Sequence, residues 1–362
     1  MTYLWQKRSL STLKVPSKFD QYKTLTGLSA LRPEFAPYGV TVCRGTLTRL
    51  DEAFQGFYRR VGSGKAPGFP RFRSSSRFDS LSWCDVSGWK FDEKASRLYV
   101  QGIGHVKVNL HRPLRGEPKT MTLRRKGRHL EVTVFCSHVG LQGLPATNKS
   151  IGIDLGVGVI AATSEGTLHE NPRHRRHLAP RLAQAQKERA RKKRGSARYK
   201  RASSEIAHLK TKEANRRKDA LHKLSRLLVN ENDLIVHEDL KVKNMCRSAR
   251  GSLECPGVNV AAKSGLNDSI MDAGWATLIA MIDYKAAGAG RKVVAVDPRL
   301  TSQRCSACGH VARDNRKEQK FCCLACGFTD HADVNAARNI LRAGLAHGGS
   351  EADLVNAEPV NR

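Results

Sequence analysis

The sequence is short of acidic side chains. Its 362 residues carry 33 Asp and Glu against 63 Lys and Arg, a formal net charge of +30. So one-sided a balance exceeds what solubility requires and predicts a polyanionic partner. Aromatic residues are scarce as well, at 6%. There is no apolar run of about 18 residues, which argues against a membrane span. The opening stretch, MTYLWQKRSLSTLK, lacks the apolar core of a secretion signal, and the expected compartment is reducing and intracellular. A chain of this length can bury the cores of two or more domains.

What the sequence does contain is a patterned set of cysteines. The stretch RCSACGHVARDNRKEQKFCCLACGFTDHADVNAARNI, residues 304–340, places Cys305 and Cys308 in one CxxC knuckle and Cys323 and Cys326 in a second. Two such turns brought face to face supply four thiolates in a tetrahedron, the arrangement of one closed, structural zinc site. Cys322 is a rival ligand, with His310 and His331 as substitutes. Cys43, Cys84, Cys136, Cys246 and Cys255 are scattered and read as structural or free.

Along the chain, residues 1–60 read as mostly helical and basic. Leu47, Leu50, Phe54 and Phe57 recur at helical spacing and predict a core-facing stripe. GSGKAPGFPRFRSSSRFDS is too rich in Gly, Pro and Ser for a regular element. There Arg71, Arg73 and Arg77 alternate with Phe69, Phe72 and Phe78, a mixture suited to a nucleic-acid backbone with unstacked bases. Arg44, upstream, is grouped with them as a nucleic-acid contact. From residue 81 to 135 period-two alternation, as in RLYVQGIGHVKVNLHR and HLEVTVF, predicts short antiparallel strands in a small barrel or sheet. A linker follows, and a second domain begins near Ser150.

That domain opens with SIGIDLGVGVIAAT, two apolar strands around a Gly156–Val157–Gly158 turn, with Asp154 lodged in the first. An acid in so apolar a run is costly to desolvate unless paired or metal-bound. DLIVHEDL ends a second buried strand at Glu238 and Asp239; because side chains alternate faces, only one of the two shares a face with Leu234 and Val236. Between these strands, residues 181–228 hold seventeen Lys and Arg against four Asp and Glu. Such like charges repel unless a polyanion screens them, so a basic helical hairpin (178–228), broken at Gly195 and Ser196, predicts nucleic-acid contacts. Arg191, Lys192, Lys193, Arg194, Arg198, Arg216 and Arg217 are its candidate contacts. Residues 267–288 read as one amphipathic helix with Trp275, Leu278, Ile279 and Ile282 inward. RKVVAVDP is a further strand, whose Asp297 is a rival acid or a turn starter. Asp333 opens a final helix, where a carboxylate serves as a cap or as a metal ligand. Strands alternating with helices predict a mixed sheet covered by helices. Carboxylates at Asp154, Glu238 and Asp333 gathered by such a fold would repel unless divalent cations held them. Two Mg²⁺ about 4 Å apart can drive phosphodiester hydrolysis.

The motifs KAPGFPRF, GIDLGV, NRRKDALHKLSRLL, IVHEDLKVKNM, DAGW, VDPRLTSQRCSACG and HADVNAARNIL occur in that order. In them the chain resembles the TnpB family, RNA-guided endonucleases of bacterial insertion sequences related to compact type V CRISPR effectors. The resemblance implies an α/β multidomain protein. Residues 1–145 would form a wedge and recognition region, with helices about 10–60 and a β-barrel about 80–137. Residues 146–362 would form an RNase H-like RuvC domain with an inserted zinc ribbon, 301–329. It assigns the Mg²⁺-binding catalytic triad to Asp154, Glu238 and Asp333, over Asp239 and Asp330. It implies a guide RNA derived from the transposon end, double-stranded target DNA cut beside a short motif, no membrane, and a monomeric protein in the bacterial cytoplasm, associated with the nucleoid when on DNA. Relatives begin with several dozen further residues, so the first wedge strand is expected to be missing here. A non-cleaving RNA-guided repressor and an RNase H-like transposase are the competing readings.

Overall fold

The computed structural model describes residues 17–347, apart from residues 128, 141, 142 and 253. The helical start expected near residue 10 lies outside the described residues. The chain divides into two compact units, Met1–Gly140 and Leu141–Arg362.

In the first unit, helices α1 (Lys18–Leu31) and α2 (Val40–Gly62) precede six short strands. Strands β1 (Ser80–Trp83), β5 (Glu117–Lys126) and β6 (His129–Ser137) form one antiparallel sheet, in the order β1-β5-β6. A second comprises β2 (Trp89–Asp92), β3 (Arg97–Val100) and β4 (Gly104–Lys107). Among the described residues no ladder joins the two sheets, so the strands do not hydrogen-bond into one closed barrel. Val42 of α2 packs with Trp83, Trp89, Leu98, Val100 and Met121 in a shared core. The stripe on α2 does pack: Leu47 is buried, while Phe54 and Phe57 meet Phe69 edge-on, with centroids 5.7 and 5.4 Å apart. Phe69 remains more than half exposed despite that contact, at 58%, and Phe72 is 87% exposed.

The second unit is built on a five-stranded sheet in the order β11-β10-β7-β8-β9. Strands β7 (Ser150–Asp154), β8 (Val159–Thr163) and β9 (Leu168–Glu170) form an antiparallel meander, and β10 (Leu234–Glu238) and β11 (Lys292–Val296) extend it beyond β7 in parallel. Nearly continuous apolar strands such as LIVHE fit a sheet covered on both faces. On one face lies helix α8 (Ala332–His347), whose Ile340 packs with Val236 and Val296. Helix α8 crosses β7 at Gly152, where a Cβ would stand 2.2 Å from the Ala337 carbonyl oxygen. On the other face, Leu221, Leu224, Leu228 and Val229 of α4 (Ala197–Glu231) pack with Leu278, Ile282 and Ala286 of α7 (Trp275–Ala289).

Helices α3 (His174–Ala190) and α4 form the expected hairpin, turning through residues 191–196; the Ser196 hydroxyl caps α4 by accepting from the Tyr199 amide. The outer part of the hairpin keeps a small core of its own, Ala185, Ile206 and Leu209 with Leu182. One expectation fails. Past the one-turn helix α5 (Val242–Met245), the single helix over residues 267–288 is two helices, α6 (Val260–Ala273) and α7, separated at Gly274. Gly274 has φ +72°, a left-handed conformation that glycine adopts without strain. The break lets Trp275 begin a new helix and donate its indole N–H to the Gly156 carbonyl, 3.1 Å away. Ile279, expected inward, is only partly buried. No helix among the described residues is long and apolar enough to cross a membrane.

Candidate functional site

Asp154 and Glu238 end two adjacent parallel strands, and the register that pairs Ile153 with His237 brings the two acids side by side. Alternation then puts both carboxylates on the face that α8 covers, because Val236 on that face packs with Ile340. Asp333 lies in the first turn of α8. Three acids remote in sequence thus converge at one end of the sheet. Burial pushes Asp154 up to about 7, and the negative charges of Glu238 and Asp333 push in the same direction. Glu238 is raised too, chiefly by burial, while a hydrogen bond from Thr301 and the positive charge of Arg316 oppose the shift.

The rival acids are engaged elsewhere. Asp239 is exposed and paired with Lys241 at 2.5 Å; Asp297 accepts from the Arg299 amide at 2.9 Å, as a turn starter does. Asp330 is bound to Arg338 at 2.6 Å.

Two residues of the site escaped the sequence reading. Arg316, on strand β12 (Arg316–Lys317), reaches Asp333 Oδ1 at 2.7 Å and lowers the proton affinity of Asp154 and Glu238. Thr301 puts its hydroxyl 2.5 Å from Glu238 Oε1. Neither sits in a local pattern that marks it, since both reach the acids only through tertiary folding. The site already balances its negative charge with a guanidinium, and its donors are all oxygens, a set that fits Mg²⁺.

The four thiols form the second cluster. Cys305, Cys308, Cys323 and Cys326 are the only group of three or more His, Cys, Asp or Glu among the described residues whose ligand atoms all lie within 4.8 Å. The three carboxylates are not in such a group. The Sγ separations Cys305–Cys326 and Cys308–Cys323 are 3.8 and 3.6 Å. A tetrahedron with Zn–S bonds of about 2.3 Å has edges of about 3.8 Å, so the quartet fits zinc without rearrangement. Burial opposes ionisation of Cys323, yet the amides of Cys326 and Ala325 and the neighbouring thiols bring it down to about 6. Cys322, on β13 (Lys320–Cys322), is exposed and outside the group; His310, exposed, and His331, half-buried, are outside it as well. Strand β13 lies between β12 and β14 (Thr329–His331) in a small antiparallel sheet that supports the knuckles.

The basic candidates separate into two sets. Arg191, Lys192, Lys193 and Arg194, in the hairpin turn, are exposed, as are Arg71, Arg77, Arg198 and Arg216. Arg217 instead turns inward to Asp272 at 3.1 Å and Glu213 at 3.5 Å. Arg73 pairs with Asp79 at 3.0 Å, and the Arg44 guanidinium lies 5.6 Å over the Tyr22 ring.

Two family models match the chain: OrfB_IS605, described as "Probable transposase", over residues 129–249, and "Cas12f1-like, TNB domain" over residues 275–340. A protein of Escherichia coli (strain K12) named "Putative RNA-guided DNA endonuclease InsQ" is 36% identical over 302 residues, covering 83% of this chain and 73% of that protein. The chain belongs to the TnpB family. A second TnpB-family relative, named as an RNA-guided DNA endonuclease of Streptomyces pristinaespiralis, is 33% identical over 306 residues, covering 83% of this chain and 70% of that protein. A cryo-EM structure of a Cas12f1–sgRNA–target DNA complex aligns with 94% of this TnpB chain and 89% of its own, at 16% identity and a TM-score of 0.37.

Proposed function

We propose that this TnpB protein is an RNA-guided DNA endonuclease that cuts target DNA at the site formed by Asp154, Glu238 and Asp333. The observation that carries the reading is the convergence of these acids at the ends of β7 and β10 and the start of α8, where burial first, and then the charges of Glu238 and Asp333, push Asp154 up to about 7. The sheet supports a RuvC-type, RNase H-like domain: an antiparallel β7-β8-β9 meander continued in parallel by β10 and β11, with helices on both faces. In this reading residues 1–145 are the wedge and recognition region, and 146–362 the nuclease domain with its ribbon.

Asp154, Glu238 and Asp333 would hold two Mg²⁺, a pair that would supply water activation and charge stabilisation for phosphodiester hydrolysis. The chain's own groups do the rest. Thr301 fixes one oxygen of Glu238, and Arg316 neutralises Asp333 in the ion-free protein. One zinc on the four thiolates leaves no open position, so it is structural. The exposed basic residues of the hairpin turn and of the loop bearing Arg71 and Arg77 take the phosphates of a guide RNA, encoded at the transposon end, and of its paired target. The protein works as a monomer in the bacterial cytoplasm.

The test is to purify the protein with the RNA it retains, sequence that RNA, and assay cleavage of a matching duplex over a Mg²⁺ series. Asp154→Ala, Glu238→Ala and Asp333→Ala should each abolish cleavage, and pairs of them should lose no more than one alone. Asp239→Ala and Asp297→Ala should cleave normally. Wild-type rates in Asp154→Ala would end the assignment. A wild type that binds its target tightly without cutting would favour a repressor.

A further inference from the structure

We infer that Thr301 fixes how Glu238 coordinates a divalent cation, and so favours Mg²⁺ over Ca²⁺. The inference rests on the reading of Glu238 as a metal ligand. The Thr301 hydroxyl faces two acceptors, Glu238 Oε1 at 2.5 Å and the Pro298 carbonyl at 3.0 Å. The nearer acceptor is charged and takes the proton. No described residue donates to Oε2, so the carboxylate has one oxygen engaged and one open to an ion.

The hydroxyl cannot easily turn away. Thr301 is 7% exposed, and its carbonyl accepts from Asn339 Nδ2 at 2.9 Å. The same Asn339 nitrogen donates to the Arg304 carbonyl at 2.7 Å, and Asn335 Nδ2 reaches that carbonyl at 2.8 Å. Asn335 Oδ1 accepts from the Ser306 amide at 2.9 Å. Both asparagines are buried on α8, the helix that carries Asp333. Before Thr301, Leu300 is in the left-handed region at φ +62°, and its carbonyl accepts from the amides of Gln303 and Arg304. Two buried side chains and a tight turn therefore hold the hydroxyl against Oε1.

The chemistry that follows concerns coordination mode. Mg²⁺ requires near-octahedral geometry at about 2.0–2.1 Å and takes carboxylates through one oxygen, whereas Ca²⁺, at about 2.3–2.6 Å, readily takes both. With Oε1 held by Thr301, Glu238 serves as a one-oxygen ligand, which suits the smaller ion and denies the larger its second oxygen. Replacing the hydroxyl with a methyl group frees Oε1 for bidentate binding.

The test uses the full chain, freed of nucleic acid by high salt, with Mn²⁺ as the probe. Bound Mn²⁺ is followed by electron paramagnetic resonance and displaced with MgCl₂ or CaCl₂ in wild type, Thr301→Val, Thr301→Ala and Thr301→Ser. Glu238→Gln gives the background. In Thr301→Val and Thr301→Ala, the ratio of Ca²⁺ to Mg²⁺ needed for displacement should fall about tenfold, the scale of one hydrogen bond to a charged group. Thr301→Ser should restore the wild-type ratio. Calcium should correspondingly inhibit Mg²⁺-supported cleavage at lower concentration in the Val and Ala variants. An unchanged ratio in both overturns the inference while leaving Glu238 as a ligand. Full Mn²⁺ binding in Glu238→Gln removes the underlying reading instead. If Thr301→Val and Thr301→Ala both lose zinc and cooperative melting, Thr301 is a structural residue and the inference fails.

Discussion

Arg316 Nη2 lies 2.7 Å from Asp333 Oδ1, so a residue of the ribbon supplies the positive charge that the acidic site lacks without an ion. The pair is mostly shielded from solvent, with side-chain exposures of 32% and 16%. Arg316→Ala should therefore destabilise the Mg²⁺-free protein by about 1–3 kcal/mol at pH 8. At pH 5, where Asp154 carries a proton and repulsion is lower, the loss should shrink. Thermal melting at the two pH values checks both, and an equal loss at each would contradict the coupling.

Asp154 gives a second pH dependence. Its folded value, about 7, lies above the usual carboxylate range, so the folded state holds the proton more tightly than the unfolded chain. Stability of the Mg²⁺-free protein should then fall as pH rises from about 4 to 7 and level off above, by a few kcal/mol in all. Asp154→Asn should remove most of that slope and be the more stable protein at pH 8. Denaturant titrations at pH 5 and 8 measure it; a parallel decline in both proteins would refute the burial account.

The ribbon makes a stoichiometric prediction. Metal analysis should find one zinc per chain in wild type and in Cys322→Ser, and substoichiometric zinc in Cys323→Ser. Because Thr301 lies just before the first knuckle and Arg316 between the two, loss of zinc should also impair cleavage. Full zinc in Cys323→Ser would mean that Cys322 can take its place.

Exposed and engaged arginines should behave differently. Reversing the charges of residues 191–194 should weaken RNA binding and flatten its salt dependence, by roughly 0.9 in log–log slope for each phosphate no longer neutralised on a duplex and about 0.7 on a single strand. Arg217→Ala should leave that slope nearly unchanged and lower the melting temperature, because Arg217 is held by Asp272 and Glu213. Salt titrations of both variants separate the two roles.

These contrasts also indicate what the sequence could reveal. Asp154, Glu238 and the two knuckles stand out because local pattern marks them: an acid in an apolar strand and thiols at CxxC spacing. The hairpin was legible for the same reason, with Gly195 and Ser196 interrupting two helical stretches. The break at Gly274 was not, since apolar spacing continues across it and only the close packing of α6 and α7 on α4 demands the turn. Arg316 and Thr301 were missed because their partners lie 17 and 63 residues away in the chain. Arg217 and Arg73 look like their exposed neighbours until the fold supplies Asp272 and Asp79.

The outer part of the helical hairpin rests on Ala185, Ile206, Leu209 and Leu182, apart from the core beneath the sheet. Helix α4 has 35 residues, about 50 Å of rise, and only its C-terminal portion is anchored beside the strands. The arm can therefore be treated as a module of adjustable length. Removing or adding seven residues in each helix, about two turns, keeps the facing rows in register and alters the reach of the basic tip while the acids stay where they are. Guide RNAs with shorter or longer scaffolds could be matched to such variants without redesigning the nuclease.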